Sequence, residues 1–160
     1  MLRLVISLAV AGILAGSAIM PSAASEEPAL PKVKAVYFHA DWCSNCLVLR
    51  PKLEQAKQET TSLAVQHITL DFTNAQTWDK AMETALDEDV VATYNAYAGT
   101  TGMVVLLAAD TGERIDCVNK LFSVEAIEES FSRAVARVGE TVAGERDTGS
   151  VVCPPSRMRR

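Results

Sequence analysis

The sequence is poor in aromatic residues, proline, glycine and clustered basic residues. Aromatic residues make up 6% of 160 positions, and six prolines and eight glycines are too few for a disordered or collagen-like chain. The pI is about 5.0, and the basic cluster is confined to the C-terminus, at Arg157, Arg159 and Arg160. A nucleic-acid partner is therefore not expected, because binding phosphates requires a clustered basic surface. The length and composition indicate one soluble acidic domain.

Residues 1–24 have the pattern of a secretory signal peptide. Arg3 precedes an apolar run, Leu4–Met20, and small residues follow that run. An uncleaved membrane anchor is the alternative, but the run is at the short limit for a spanning helix. No cysteine precedes Cys43, which excludes a lipid anchor on a cysteine near this cleavage site. We expect a periplasmic or secreted protein, with residues 25–31 as a polar linker.

Hydrophobic periodicity predicts alternating strands and helices over residues 32–138. Short apolar runs predict four strands, the last two joined by a turn at residues 110–112: Lys32–Ala40, Leu63–Phe72, Met103–Ala109 and Glu113–Val118. Amphipathic repeats predict four helices. The first begins near Cys43, the second covers Asn74–Leu86, the third lies within Asp87–Tyr97 and the fourth covers Val124–Val138. This order is typical of an α/β three-layer sandwich, with helices on both faces of a mixed sheet. Residues 139–160 lose the periodicity and are expected to form a tail.

The first and second helices carry three more specific expectations. The first helix is expected to bury an apolar face: Leu47, Leu49, Leu53 and Ala56. Pro51 lies inside that helix, so a kink is expected there. In the second helix, Trp78 is expected to belong to the core.

Four cysteines fall into two unlike groups. Cys43 and Cys46 form a CxxC, where a strand leads through a turn into a helix that starts at the first cysteine. Unpaired N–H groups and the helix dipole stabilise an anion there, so we expect Cys43 to be a nucleophilic thiolate. The two-residue spacing puts Cys46 within disulfide distance of Cys43, and Cys46 is the expected resolving thiol. An attacking and a resolving thiol together carry out thiol–disulfide exchange.

The CxxC has two other interpretations, a structural disulfide and half of a zinc site. A structural zinc needs four ligands, and the sequence has no second CxxC and no HxxxH. We therefore expect no metal and no cofactor beyond the redox-active disulfide. The expected partners are protein thiols and disulfides, and the expected state is a monomer.

Three residues before the CxxC are candidates for supporting roles. Trp42 is expected to frame the disulfide. His39 is either an ordinary strand histidine or a residue that tunes Cys43, because a nearby histidine can stabilise a thiolate. Asp41 is expected to be solvated, with assistance in proton transfer as the alternative.

At these residues the chain resembles the thioredoxin superfamily. The matching motif is F-x-A-x-W-C-x-x-C over Phe38–Cys46, followed by a helix with Pro51 five residues after the second cysteine. The resemblance covers residues 32–138 and implies a thioredoxin-like fold and thiol–disulfide oxidoreductase activity. Phe38–Cys43 and Leu70–Asn74 most resemble the C-terminal domain of DsbD-type thiol:disulfide interchange proteins, which implies a reductant fed by a membrane partner.

One departure from the family pattern concerns the missing cis-proline, which the family places opposite the CxxC. No proline lies between Pro51 and Pro154. Counting from the preceding glycine puts Thr101 at this position, whereas counting back from the later turn puts Gly102 or Met103 there. A Thr101-Gly102 loop in place of proline is expected to be flexible and to bear N–H donors, with positive φ at the glycine. Such a loop would leave the reduced thiols open to a soft metal.

Two further positions depart from the pattern. Tyr37 stands where thioredoxins have the buried aspartate that accepts a proton, and a tyrosine is not a base at neutral pH. Leu47 replaces the usual lysine after the second cysteine, which removes one nearby positive charge. A non-catalytic thioredoxin-like module that binds a partner or a metal is therefore the alternative function.

The remaining cysteines allow three interpretations. Cys117 and Cys153 can pair and tie the tail to the edge strand, as an oxidising compartment favours. Alternatively, Cys117 is a buried free thiol and Cys153 is reactive. In the third interpretation, Cys153 makes an intermolecular bond.

Overall fold

The structure is a computed structural model, and it describes residues 30–157. The predicted signal peptide at residues 1–24 and most of the predicted linker lie outside these residues. Within the described range, no helix is both long and apolar enough to cross a membrane.

Four strands and four helices follow one another in the predicted order. The strands are β1 Val33–His39, β2 Val65–Asp71, β3 Met103–Ala108 and β4 Arg114–Asn119. The helices are α1 Ser44–Glu59, α2 Ala75–Asp87, α3 Val91–Tyr97 and α4 Val124–Glu140. Their ends lie close to the predicted ones, because local apolar periodicity and caps set them. Asn74, for example, accepts a hydrogen bond from Thr77 and starts α2 with a capping box.

The strands form one mixed sheet in the order β2-β1-β3-β4. β1 and β2 are parallel, with α1 as the crossover between them, and the other two pairs are antiparallel. β1 and β3 lie in the middle of the sheet, where β3 is buried throughout. The carboxyl end of β1 therefore delivers the chain from the centre of the fold to the start of α1.

Helices cover both faces of this sheet. On one face, Phe38 of β1 stacks on Phe72, which contacts Trp78 of α2 and Tyr94 of α3. On the other face, α1 packs beside α4, and His67 of β2 meets the ring of an α4 phenylalanine. The predicted three-layer α/β sandwich is confirmed, and the fold is thioredoxin-like.

Two predictions about buried side chains are wrong. Leu47 is 58% exposed, because the spacing of three and four residues along α1 puts Cys46 rather than Leu47 on the buried face with Leu49 and Leu53. Trp78 is 38% exposed, although its indole meets the ring of Phe72 almost at right angles. α1 itself runs from Ser44 to Glu59 without a break at its internal proline.

The segment after α4 packs along the edge of the sheet. Glu113, just before β4, accepts hydrogen bonds from the backbone N–H groups of Gly144 and Arg146. The N–H of Thr148 then donates to the β4 carbonyl of Ile115. This segment therefore covers backbone groups that an edge strand would otherwise leave unpaired.

A second disulfide fastens the same segment to the sheet. It joins Cys117 of β4 to Cys153, with the two Cα atoms 5.0 Å apart. Cys117 is completely buried, whereas Cys153 is partly buried and packs against the core. The structure thus adopts the pairing among the three interpretations that the sequence allowed.

Candidate active site

The CxxC lies where β1 ends and α1 begins. Cys43 is the N-cap residue of α1, and its sulfur accepts a hydrogen bond from the backbone N–H of Cys46 at 3.1 Å. The two cysteines form a disulfide, with their Cα atoms 5.2 Å apart. A cap side chain normally satisfies one of the free N–H groups of the first turn, and here a sulfur has that role. The arrangement favours a thiolate on Cys43 after reduction.

The two sulfurs differ in their surroundings. Cys43 is 6% exposed and Cys46 is 1% exposed, so the first cysteine is the outer one. The sulfur of Cys46 lies 3.8 Å from the carbonyl oxygen of Phe38, inside the fold. The sulfur of Cys43 is therefore the more accessible of the two.

Gly102 is the residue that faces the disulfide from the start of β3. A Cβ atom built on Gly102 would lie 3.3 Å from the Cys43 sulfur and 2.5 Å from Cβ of Asn45. Its φ is +84°, which L side chains rarely adopt, so only glycine fits this position without strain. The structure thus places Gly102 beside Cys43, and residues 30–157 contain no cis peptide bond.

The positive φ of Gly102 agrees with the expectation, but its N–H group is not free. This N–H donates to the carbonyl oxygen of Phe38 at 2.8 Å, the same oxygen that lies near the Cys46 sulfur. The expectation of a free N–H donor in this loop is therefore wrong at Gly102, because its N–H is already bonded to β1. The hydrogen bond fixes the loop beside the CxxC.

Trp42 and Asp41 are held by a loop that follows β2. The indole N–H of Trp42 donates to the carbonyl of Thr73 at 3.1 Å, and the backbone N–H of Asp41 donates to the Thr73 hydroxyl at 3.0 Å. Asp71 in turn accepts from the backbone N–H of Thr73. The indole of Trp42 stays largely exposed beside the disulfide. Thr73 has no motif of its own that predicts this role, although it lies in the Leu70–Asn74 stretch that carried the resemblance.

Tyr37, His39 and Asp41 form a hydrogen-bonded row beside the CxxC. The imidazole Nδ1 of His39 lies 3.3 Å from the Tyr37 hydroxyl, and its Nε2 lies 3.1 Å from a carboxylate oxygen of Asp41. His39 and Tyr37 are buried, whereas the Asp41 side chain is 70% exposed. Burial raises the pKa of Tyr37 to about 12, with Arg50 opposing this rise and Glu54 adding to it. The row joins the interior to solvent.

Three apolar side chains next to the CxxC in the sequence are exposed: Trp42, Leu47 and Val48. Within residues 30–157, no group of three or more His, Cys, Asp or Glu side chains is placed to hold a metal ion. The segments that flank the CxxC thus expose apolar surface.

Comparison with known proteins adds a family match. Residues 29–87, which include β1, α1, β2 and α2, match the thioredoxin family model. No curated protein matches the chain.

Several solved structures are similar in fold. StoA from Bacillus subtilis has a TM-score of 0.45 and 16% identity, over 66% of this chain and 85% of that one. A secreted Mycobacterium tuberculosis disulfide oxidoreductase homologous to E. coli DsbE has a TM-score of 0.44 and 18% identity, over 65% and 83%. A thioredoxin mutant from Halobacterium salinarum has a TM-score of 0.42 and 21% identity, over 64% and 74%.

Proposed function

We propose a specific role for this chain, which belongs to the thioredoxin superfamily and is a thioredoxin-like thiol–disulfide oxidoreductase. The role is that of a periplasmic reductant of protein disulfides, acting as a monomer without a bound cofactor. The observation that carries the activity is the disulfide at the start of α1, with Cys43 outside and Cys46 behind it. The proposal adds two statements to this activity: that the protein donates electrons to its substrates, and that it acts in the periplasm.

The reaction follows from the placement of the two sulfurs. In the reduced protein, the Cys43 thiolate attacks a substrate disulfide, forms a mixed disulfide and expels one substrate thiolate. Cys46 then loses its proton and attacks the Cys43 sulfur, which breaks the mixed disulfide and expels the second substrate thiolate. The substrate gains two electrons, and the protein is left with the Cys43–Cys46 disulfide. A dithiol donor must then reduce that disulfide.

The surroundings of Cys43 support the reducing direction. A thioredoxin-fold protein is a strong oxidant when its reduced form is strongly stabilised. Here the hydrogen bond to the Cys43 sulfur comes from one backbone N–H, and Leu47 stands where a lysine would add positive charge. Weaker stabilisation of the thiolate makes the protein a better reductant. The resemblance to DsbD-type domains at Phe38–Cys43 points the same way.

The proposed location rests on residues 1–24 and on the cysteine content. A signal peptide would deliver the domain to an oxidising compartment, where a disulfide such as Cys117–Cys153 persists. A reductant in that compartment needs a donor of electrons from the cytoplasm. We propose that this donor is a membrane protein that presents a dithiol to Cys43.

Reduction of insulin in the presence of dithiothreitol tests the activity. The mature chain, residues 25–160, is expected to accelerate insulin precipitation, and the Cys43→Ser variant is expected to lose this acceleration. Cys153→Ser is the matched control, because it removes a cysteine far from the CxxC in sequence and outside the active site. An inactive wild type that binds Zn²⁺ tightly when reduced would instead support the alternative, a metal-binding module.

Equilibration with glutathione tests the direction of electron flow. Mass spectrometry after alkylation gives the fraction of reduced Cys43 and Cys46 at each ratio of reduced to oxidised glutathione. A reductant is expected to have a potential near that of thioredoxin, about −270 mV. A value near −120 mV, typical of strong oxidants, would reverse the proposed direction while leaving the exchange activity in place.

A further inference from the structure

The turn between β1 and α1 brings the chain to Cys43, yet the residues of the turn are exposed. Asp41 and Trp42 form this turn, and both lie at the surface. Inside the turn, the N–H of Cys43 donates to the carbonyl oxygen of Ala40 at 3.2 Å, the long end of the normal range. Neither burial nor a short internal hydrogen bond therefore holds the turn, so its position depends on bonds to other segments.

The ladder between β1 and β2 ends at this turn because a side chain takes the next donor. The N–H of Phe72 donates to the carbonyl of His39 at 2.8 Å, as a parallel ladder requires. The next bond of the ladder would run from the N–H of Asp41 to the carbonyl of Phe72. Instead, this carbonyl accepts the indole N–H of Trp78, and Asp41 donates to the hydroxyl of Thr73. Thr73 therefore ends the ladder where the chain turns into α1.

The direction of the Thr73 hydroxyl is fixed by Asp71. The carboxylate of Asp71 accepts hydrogen bonds from both the backbone N–H and the hydroxyl of Thr73. An ionised carboxylate only accepts, so the hydroxyl hydrogen points to Asp71 and the hydroxyl oxygen is free to accept from Asp41. The backbone carbonyl of Thr73 accepts the indole N–H of Trp42 at 3.1 Å. One threonine thus holds the two consecutive residues that precede Cys43.

We propose that Thr73 is a positioning residue for the Cys43 nucleophile. It holds the turn so that the sulfur of Cys43 stays at the N-terminus of α1, where the helix favours a thiolate. Without the hydroxyl, the N–H of Asp41 bonds to water, the turn loosens, and a smaller fraction of Cys43 is ionised and ready to react. This inference rests on the exchange activity in the proposed function, and it depends on neither the direction of electron flow nor the location.

The test follows the reaction of reduced Cys43 with iodoacetamide over a range of pH, in a Cys46→Ser background, by peptide mass spectrometry. Thr73→Val removes the hydroxyl and keeps a side chain of similar size. Its reaction at acidic pH is expected to be about tenfold slower than that of the parent chain, in line with the loss of one hydrogen bond. At alkaline pH, where the thiol is ionised in every variant, the two rates are expected to converge. Thr73→Ser restores a hydroxyl and is expected to recover the rate at acidic pH.

Thr77→Val is the matched control. The Thr77 hydroxyl also accepts from a backbone N–H after β2, but it belongs to the capping box of α2 and does not hold the turn. Reaction of Thr73→Val at the rate of the parent chain at every pH would overturn the proposal. Equal slowing at acidic and alkaline pH, or equal slowing in Thr77→Val, would also overturn it, because the effect would then not come from the ionisation of Cys43. If Thr73→Val does not fold, Thr73→Ala carries the test, since it removes the hydroxyl without adding bulk.

The same reagent separates this inference from the proposed function. Alkylation requires a thiolate but no substrate disulfide, so it reports on Cys43 whether or not the protein exchanges disulfides. A wild type that fails to reduce insulin, while Thr73→Val is slowed as expected, would count against the proposed function and support the positioning role. An active wild type whose Thr73→Val variant is alkylated at the parent rate would count against the positioning role alone.

Discussion

At the scale of single residues, the two cysteines of the CxxC are chemically unlike. Cys43 is the N-cap of α1 and the outer sulfur, whereas Cys46 is enclosed by the first turn and β1. The helix terminus lowers the cost of a negative charge more at Cys43 than at Cys46, since its effect falls off along the first turn.

We therefore predict that Cys43 of the reduced protein reacts first with iodoacetamide at acidic pH. A thiolate is the reactive form of cysteine, and Cys43 is expected to be the more acidic of the two thiols. Peptide mass spectrometry after a short exposure measures the ratio of the two modified peptides. Preferential labelling of Cys46 would contradict the roles assigned to the two residues.

Gly102 is the second residue with a specific physical requirement. We predict that Gly102→Ala destabilises the fold by about 1–3 kcal/mol, because an L residue is strained at positive φ and the new Cβ would meet Asn45. Urea denaturation gives the change in the free energy of unfolding. Gly112→Ala is the matched control, since Gly112 also has a positive φ but has nothing within 4 Å of its built Cβ. Equal losses in the two variants would show that the contact with Asn45 has no cost.

The same geometry limits how the metal hypothesis can be tested. A proline at Gly102 would need a φ near −65° and would remove the hydrogen bond to Phe38, so loss of folding would obscure metal binding. Thr101→Pro is the substitution that leaves Gly102 in place. Weaker Zn²⁺ binding by reduced Thr101→Pro than by the reduced wild type remains the expected result if this loop controls access to the thiols.

At the scale of secondary-structure elements, β2 and α4 meet through a histidine. His67 packs edge-on against Phe131, with ring centroids 5.3 Å apart. The pKa of His67 is lowered from 6.5 to about 4, mainly by burial and also by the positive charge of Lys57, with Glu54 opposing the change. The contact between these two elements thus requires a neutral imidazole.

We predict that this contact makes stability depend on pH between about 6.5 and 4. The unfolded chain binds a proton at His67 below pH 6.5, whereas the folded protein does so only near pH 4, so stability falls as the pH falls through this window. His67→Gln is expected to flatten this part of the profile. Urea midpoints measured from pH 7 to pH 4 check this, and an unchanged slope in the variant would count against a neutral, buried His67.

At the scale of the whole molecule, the segment after α4 belongs to the folded domain. Its disulfide closes a loop with a sequence separation of 36, and backbone hydrogen bonds to Glu113 and Ile115 hold it along β4. A tail without periodicity is therefore attached to the edge of the sheet by local polar contacts and one covalent bond.

We predict that Cys153→Ala destabilises the protein by about 3–4 kcal/mol, the chain-entropy estimate for a loop of this size, with insulin reduction largely unchanged. Cys153 is chosen because Cys117 is fully buried, where truncation would add a cavity. Urea denaturation measures the loss, and non-reducing peptide mapping of the wild type should show the Cys117–Cys153 peptide. Two free thiols at these positions in the wild type would refute the pairing.

The sequence by itself determined the elements of the fold and the two reactive cysteines. Apolar periodicity, caps and turn residues act over a few positions, so the four strands and four helices could be predicted close to their observed ends. The spacing of Cys43 and Cys46 at the end of a strand likewise defines a redox pair before any tertiary contact is known. The resemblance to thioredoxin rested on this same local motif.

Only the tertiary structure decided what approaches these cysteines. Gly102 is 59 positions from Cys43, and β1–β3 pairing brings it into contact with the sulfur. The exposure of Leu47 likewise depends on the rotation of α1 about its axis. The order of residues in the chain does not fix such contacts, because they follow from how separately stable elements pack against one another.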